Sequence, residues 1–146
     1  MRHSARWLML LTMIVLVIAG CSPTAAATPA APPVAAQPTA ASLPAEISVA
    51  EAAAKREAGA FILDVRQPEE WNEVHIPGAT LIPLDQLEQR VNEVPRDKEV
   101  VVICRSGNRS KPGRDFLKSA GYTQVTSVNG GMNDWSAAGY PTATGP

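Results

Sequence analysis

Four consecutive β-branched residues, Val100-Val101-Val102-Ile103, run into Cys104 and then into the polar stretch Arg105-Ser106-Gly107-Asn108-Arg109-Ser110. An unbroken apolar run of this kind has no polar face, so it reads as a strand covered on both sides. The segments around it alternate in type. Ser48-Val49-Ala50-Glu51 is a capping-box pattern that opens an Ala-rich helix ending near Gly59. Phe61 to Val65 reads as a buried strand, and Pro68-Glu69-Glu70-Trp71 as a short helical turn with proline first and acids at its positive end. Thr80-Leu81-Ile82 predicts a brief strand. Asp85-Gln86-Leu87-Glu88 repeats the capping logic, with Leu84, Leu87, Val91 and Val94 as an apolar stripe before Pro95. A helix is expected from Ser110 to Ala120, stopped by Gly121, then a strand from Gln124 to Val128, a turn at Gly130-Gly131 and a last helix from Met132 to Ala138. Strand and helix in alternation point to an α/β domain with a mainly parallel sheet. There is no internal repeat.

A cysteine at the end of such a strand is, by itself, most simply a small core residue. The residues after it argue otherwise. Gly107 permits a tight bend, Ser106 and Asn108 can turn their side chains onto the backbone, and Ser110 can start a helix. A short loop between the carboxyl end of a strand and the amino end of a helix can aim several N–H groups at one spot, which makes an anion site. Backbone dipoles with Arg105 and Arg109 favour the thiolate form of a thiol in that spot. Open parallel sheets also bind ligands at the carboxyl ends of their strands.

The chain here resembles the rhodanese (sulfurtransferase) family. The matching pieces are Asp64-Val65-Arg66, His75-Ile76-Pro77-Gly78-Ala79, the stretch Cys104 to Ser110, Gly121-Tyr122, and Gly130-Gly131-Met132-Asn133-Asp134-Trp135. They stand in family order across nearly the whole segment 46–146. The resemblance implies a rhodanese-like α/β fold, a mainly parallel five-stranded sheet with helices on both faces. It also implies that Cys104 takes sulfane sulfur from a donor such as thiosulfate, holds it as a persulfide, and yields it to cyanide or a thiol. The covalent persulfide is then the working group, with no cofactor and no metal implied. In the family, Asp64 and Arg66 lie beside the loop. Either they form a charge network that steadies it, with Arg109 as a partner of Asp64, or they cap local turns. His75 could serve as a base, but its place in the His-Ile-Pro-Gly-Ala turn implies a structural role. Trp71 and Trp135 are expected to support the core or the loop. Arg105, second in the loop, is expected at the pocket mouth to meet the donor's negative charge.

Other functions use similar parts. Phosphatases of the dual-specificity and tyrosine types set cysteine and arginine as C-x5-R, and an arsenate reductase is a related possibility. Here Arg109 follows Cys104 as C-x4-R, and a smaller ring of N–H groups suits a terminal sulfur better than a tetrahedral phosphate. A different class of reading makes the domain a non-enzymatic redox-sensing or partner-binding module. Inactive members of the family usually lack the loop cysteine, whereas this chain keeps Cys104, Arg105 and Arg109. One departure from the family is Pro112-Gly113, in the first turn after the loop where alanine is commoner. Proline is tolerated there, while Gly113 weakens the turn by roughly 0.5–1 kcal/mol relative to alanine, so a softer helix start is expected.

The residues before the domain read differently. Arg2, His3 and Arg6 precede a 13-residue apolar run from Trp7 to Ala19 broken only by Thr12. This is the layout of a secretory signal over residues 1–20, and the run falls short of the roughly 20 residues of a spanning helix. Its end, Ile18-Ala19-Gly20-Cys21, resembles a bacterial lipobox, which implies cleavage before Cys21 and lipidation of its sulfur. Residues 22–45 hold 10 Ala, 6 Pro, 5 Ser or Thr and no charge, a semi-rigid tether reaching at most about 75 Å at about 3.1 Å per residue. The expected product is an extracytoplasmic lipoprotein anchored to a membrane, its domain at 46–146 a monomer. That segment carries all 14 acidic and 11 of the 13 basic residues, a net charge of −3. Nothing in that balance supports nucleic-acid binding. Two cysteines in the whole chain exclude a disulfide framework. If Cys21 carries lipid, Cys104 is the remaining thiol.

Overall fold

The computed structural model describes residues 42–146. The signal-like segment, Cys21 and most of the Ala/Pro-rich stretch lie outside the described residues. The elements in chain order are β1 (Glu46–Ile47), α1 (Val49–Glu57), β2 (Phe61–Asp64), α2 (Pro68–Glu73), β3 (Thr80–Leu81), α3 (Leu87–Arg90), a 3-10 turn over Val91–Glu93, β4 (Val100–Ile103), α4 (Ser110–Ser119), β5 (Val125–Val128) and α5 (Gly131–Ala137). The five strands form one sheet in the order β1-β5-β4-β2-β3, and every pairing is parallel.

The unbroken apolar character of β4 follows from its place at the centre. Strand side chains alternate between faces, and the core divides accordingly. Val100 and Val102 join Leu63, Val65 and Val125 in one cluster, which Leu87 of α3 and Leu117 of α4 cover. Val101 and Ile103 join Ile62 and Val128 in the other, covered by Ala52 and Ala53 of α1 and Met132 and Trp135 of α5. A strand with one wet face would have shown alternating polarity instead. The stripe of Leu84, Leu87, Val91 and Val94 lies in the first cluster or packs against it, as expected. Tyr122 fastens the same region, its one hydroxyl proton shared between the carbonyls of Val91 and Val94 at 2.8 and 2.9 Å.

Two local expectations need correction. Asp85 does not cap α3, whose N-cap is Gln86 with no side-chain cap bond. The Asp85 carboxylate instead accepts from Gln67 Nε2 at 3.2 Å, across the gap to α2. Strand β1 is an addition to the expected set. It has only two residues, and its register opposite Ser127 and Val128 comes from β5. The carbonyl just before it, that of Ala45, accepts from Arg114 Nη1 at 2.9 Å and from the hydroxyls of Thr126 and Ser127. That cluster satisfies the hydroxyls of a strand whose four residues are all buried.

The glycine of α4 has a packing reason. A Cβ on Gly113 would stand 3.3 Å from Val102 Cγ1 and 3.5 Å from the terminal methyls of Leu84 and Val65, so the helix lies close against the sheet. Two of these are ordinary contacts, and the Val102 methyl needs to yield only slightly. Gly113→Ala is therefore expected to stabilise by about 0.5 kcal/mol, because the gain in helix propensity exceeds the crowding. For a domain of this size that raises the thermal midpoint by about 2–4 °C. A lowered midpoint in a melting curve would show that Val102 cannot give way.

Candidate active site

The site lies where β4 ends and α4 begins. Cys104 is 1% exposed, recessed at the base of the loop, and its Sγ accepts the Gly107 N–H at 3.2 Å. Gly107 has φ +92°, and a Cβ on it would stand 3.3 Å from both the Gly130 nitrogen and the Val128 oxygen. Only glycine combines that backbone with that clearance. Ser110, the first residue of α4, does not act as its cap. Its hydroxyl donates to the Gly107 carbonyl at 2.9 Å and closes the loop. Ser106 and Asn108 are exposed and make only a weak 3.5 Å contact with each other, rather than turning onto the backbone as expected. The backbone N–H groups of Arg105, Ser106, Asn108 and Arg109 have no protein acceptor among the described residues. Amide donors gathered in one loop without partners are the raw material of an anion site.

The floor beneath the loop comes from α5. The N–H groups of Met132 and Asn133 donate to the carbonyls of Cys104 and Arg105 at 2.8 and 3.0 Å. A Cβ on Gly131 would fall on the Cys104 carbonyl oxygen, which explains the second glycine of Gly130-Gly131. The first helical turn of α5 thus fixes the carbonyls that precede the loop, leaving the loop N–H groups to face other partners.

The charge network departs from the expected one. Asp64 and Arg66 do pair, with Arg66 Nη2 at 2.6 Å and Nε at 2.9 and 3.0 Å from the carboxylate oxygens. Both are buried, at 0% and 2% exposure. Arg66 also reaches forward, donating to the carbonyls of Glu70 at 3.1 Å and Val74 at 2.7 Å. Arg109 does not pair with Asp64. Its two Nη atoms donate to the two carboxylate oxygens of Glu70, each at 2.7 Å. Arg66 already saturates Asp64, while Glu70 sits on α2 beside the loop with a carboxylate otherwise engaged only by the long 3.4 Å bond from the Gln67 N–H. The hydrogen bonds from Arg109 hold the Glu70 carboxyl below its ordinary value against an opposing effect of burial. The same pairing raises Arg109, with smaller electrostatic help from Glu70, Cys104 and Asp64. Because the folded value is lowered, the pair contributes above the ordinary carboxyl range and is lost as pH falls through that lowered value.

In the sequence, Glu70 stands out only as an acid favouring a helix start. No sequence signal joins it to Arg109, since the two stand 39 positions apart. Helix α2 buries none of its residues. Its position depends on these polar links and on the segment after it, where Trp71 stacks on His75 at 3.9 Å between ring centroids. His75 Nδ1 lies 3.0 Å from the Trp71 carbonyl, and its backbone pairs with Ala143. These bonds give His75 a structural part. Trp135 is fully buried, with Nε1 donating to the Pro141 carbonyl at 3.0 Å.

Beside the loop opens a cleft of about 570 Å³, bordered by Arg66, Glu70 and Val74 on one side and by Arg105, Met132 and Asn133 on the other. Arg105 is exposed on its rim. The site therefore combines a recessed thiol, amide donors without an acceptor among the described residues, a cation at the mouth and a second cation tied to a carboxylate.

Comparison with known proteins agrees with this arrangement. The family model for the rhodanese-like domain matches residues 48–138. The thiosulfate sulfurtransferase GlpE of Pseudomonas syringae is 35% identical over 94 residues, which cover 64% of this chain and 88% of that protein. YrkF of Bacillus subtilis is 44% identical over 75 residues, 51% of this chain but only 40% of YrkF. The crystal structure of a rhodanese-related protein from Thermoplasma volcanium superposes with a TM-score of 0.63 at 34% identity, covering 67% of this chain and 96% of that one. With its sheet order, its loop and its sulfurtransferase relatives, the chain belongs to the rhodanese-like domain family.

Proposed function

We propose that the domain is a sulfurtransferase that moves sulfane sulfur from a donor such as thiosulfate to cyanide or a thiol through a persulfide on Cys104. The observation that carries this reading is the Cys104 sulfur, recessed and hydrogen-bonded by Gly107 N–H, in a loop with four more N–H groups that find no acceptor among the described residues. A thiol so deeply set is reached by a slender terminal atom more readily than by a bulky group. The Cys104 thiolate attacks the outer sulfur of thiosulfate, the new S–S bond forms, and sulfite leaves with the electron pair of the bond that breaks. The loop N–H groups stabilise the terminal persulfide anion. Arg105 on the rim is suited to the departing oxyanion. In the second half, the acceptor attacks the terminal sulfur and the Cys104 thiolate is released. Cyanide becomes thiocyanate, and a thiol becomes its own persulfide. These steps call on no metal or cofactor. Anchored through Cys21, the domain would work on small sulfur compounds outside the cytoplasm.

The test is intact mass. Thiosulfate should add about 32 Da, one sulfur atom, to the full chain, and cyanide should remove it with formation of thiocyanate. No adduct, together with reversible oxidation of the protein by peroxide, would favour the redox-sensing module instead.

A further inference from the structure

We propose that Glu70 is a specificity residue, which keeps tetrahedral oxyanions such as phosphate out of the Cys104 loop by occupying Arg109. An arginine at the end of a cysteine loop is well placed to clamp an oxyanion, because its paired N–H groups match two oxygens of one tetrahedral group. Here that end-on edge is taken. Both Nη atoms meet the Glu70 oxygens at 2.7 Å, and the guanidinium charge is balanced by a carboxylate in direct contact. The edge that remains, at Nε, belongs to a cation already compensated. The loop is thus left with its backbone N–H groups, which suffice for a single terminal sulfur, and lacks the arginine's bidentate grip that a phosphate would add to them.

Glu70 is itself held. Its carbonyl accepts from Arg66 Nη1, whose guanidinium is locked by buried Asp64. Its Oε2 accepts the Gln67 N–H at 3.4 Å. The far end of α2 is fastened by Arg66 to Val74, by the pairing of His75 with Ala143, and by the Gly145 N–H on the Asn72 carbonyl at 2.8 Å. An incoming oxyanion would have to pull Arg109 from a carboxylate carried on a helix fastened at both ends. The inference rests on the sulfurtransferase reading only in naming the ligand that the loop favours. The exclusion of oxyanions can be measured without any turnover.

The experiment titrates inorganic phosphate into the full chain in a Cys104→Ser background by calorimetry. Glu70→Gln should bind phosphate at least about tenfold more tightly than the parent, the worth of one freed charge-assisted hydrogen bond. Glu70→Asp keeps a carboxylate and should retain the parent's weak binding. Adding Arg109→Gln to Glu70→Gln should remove the gain. The proposal is overturned if Glu70→Gln gains nothing, or if the gain survives loss of Arg109. Should Glu70→Gln fail to fold, Glu70→Ala takes its place: it too removes the carboxylate from Arg109 and should show the same gain, and no gain would sink the idea. Persulfide formation by the protein with Cys104 intact is scored separately by mass, so a failure of the sulfurtransferase reading is distinguishable from a failure here.

Discussion

Cys104→Ser is expected to abolish both the sulfur adduct from thiosulfate and transfer to cyanide, while the protein still folds. A hydroxyl is a far weaker nucleophile toward sulfur than a thiolate, and it cannot carry a persulfide. The loss should therefore be complete within detection rather than partial. The fold should survive because the substitution is nearly isosteric and Gly107 N–H, now 3.2 Å from Sγ, remains to satisfy the oxygen. With that partner kept, the expected cost is about 1 kcal/mol, small beside the roughly 5–15 kcal/mol of an ordinary domain. Intact mass, thiocyanate release and a melting curve on the same sample check all three statements. A module that only binds a partner would keep its function in this variant, so retained function with lost adduct would reassign Cys104. Retained transfer would place the nucleophile elsewhere.

The framework was legible because its signals are local. The run from Val100 to Ile103 reports two covered faces by its composition alone, and β4 has those bounds. Ser48 and Glu51 announce a capping box by spacing, and the reciprocal bonds are present. Cys104, Gly107 and Ser110 are joined by bonds spanning three residues, so their spacing carried the loop closure. Ser106 and Asn108 do not turn onto the backbone because both are exposed to solvent, where nothing obliges them to bond the chain.

The hidden part is long-range and electrostatic. Any of several acids could have met Arg109, and the choice between Asp64 and Glu70 is made by Arg66. Its side chain saturates one carboxylate and leaves the other to Arg109. Sequence names the three charges, but only packing shows that Arg66 turns back onto Asp64 two residues away and forward onto the α2 carbonyls. Strand β1 escapes for a similar reason. Two residues have no periodicity, and their register exists only through β5. Propensity describes Gly113 incompletely, because proximity to Val102 also matters. The residues that line the cleft opposite Arg105 depend on α2, an element with no buried side chain and therefore no hydrophobic signature.

That dependence gives Asp64 a large expected effect on stability. Asp64→Asn keeps the shape and removes the charge, leaving Arg66, 2% exposed, without its counter-ion. Arginine does not escape by losing its proton. Removing one partner of a buried pair costs about 3–5 kcal/mol, which lowers the midpoint of a domain this size by more than about 10 °C. Sulfur transfer should fall as well, because an Arg66 no longer held at Asp64 loosens its grip on the carbonyls of Glu70 and Val74 and so on the α2 wall of the cleft. The double variant Asp64→Leu with Arg66→Met separates the two effects. It removes the stranded charge, so it should melt above Asp64→Asn. It still leaves the α2 carbonyls without their donor, so its transfer rate should stay low. Recovery of both together would mean that the pair serves packing alone, and an unchanged midpoint in Asp64→Asn would mean that Arg66 finds another carboxylate. Glu70 is the nearest candidate through its carbonyl contact, and a swing toward it would release Arg109, which the phosphate titration would detect.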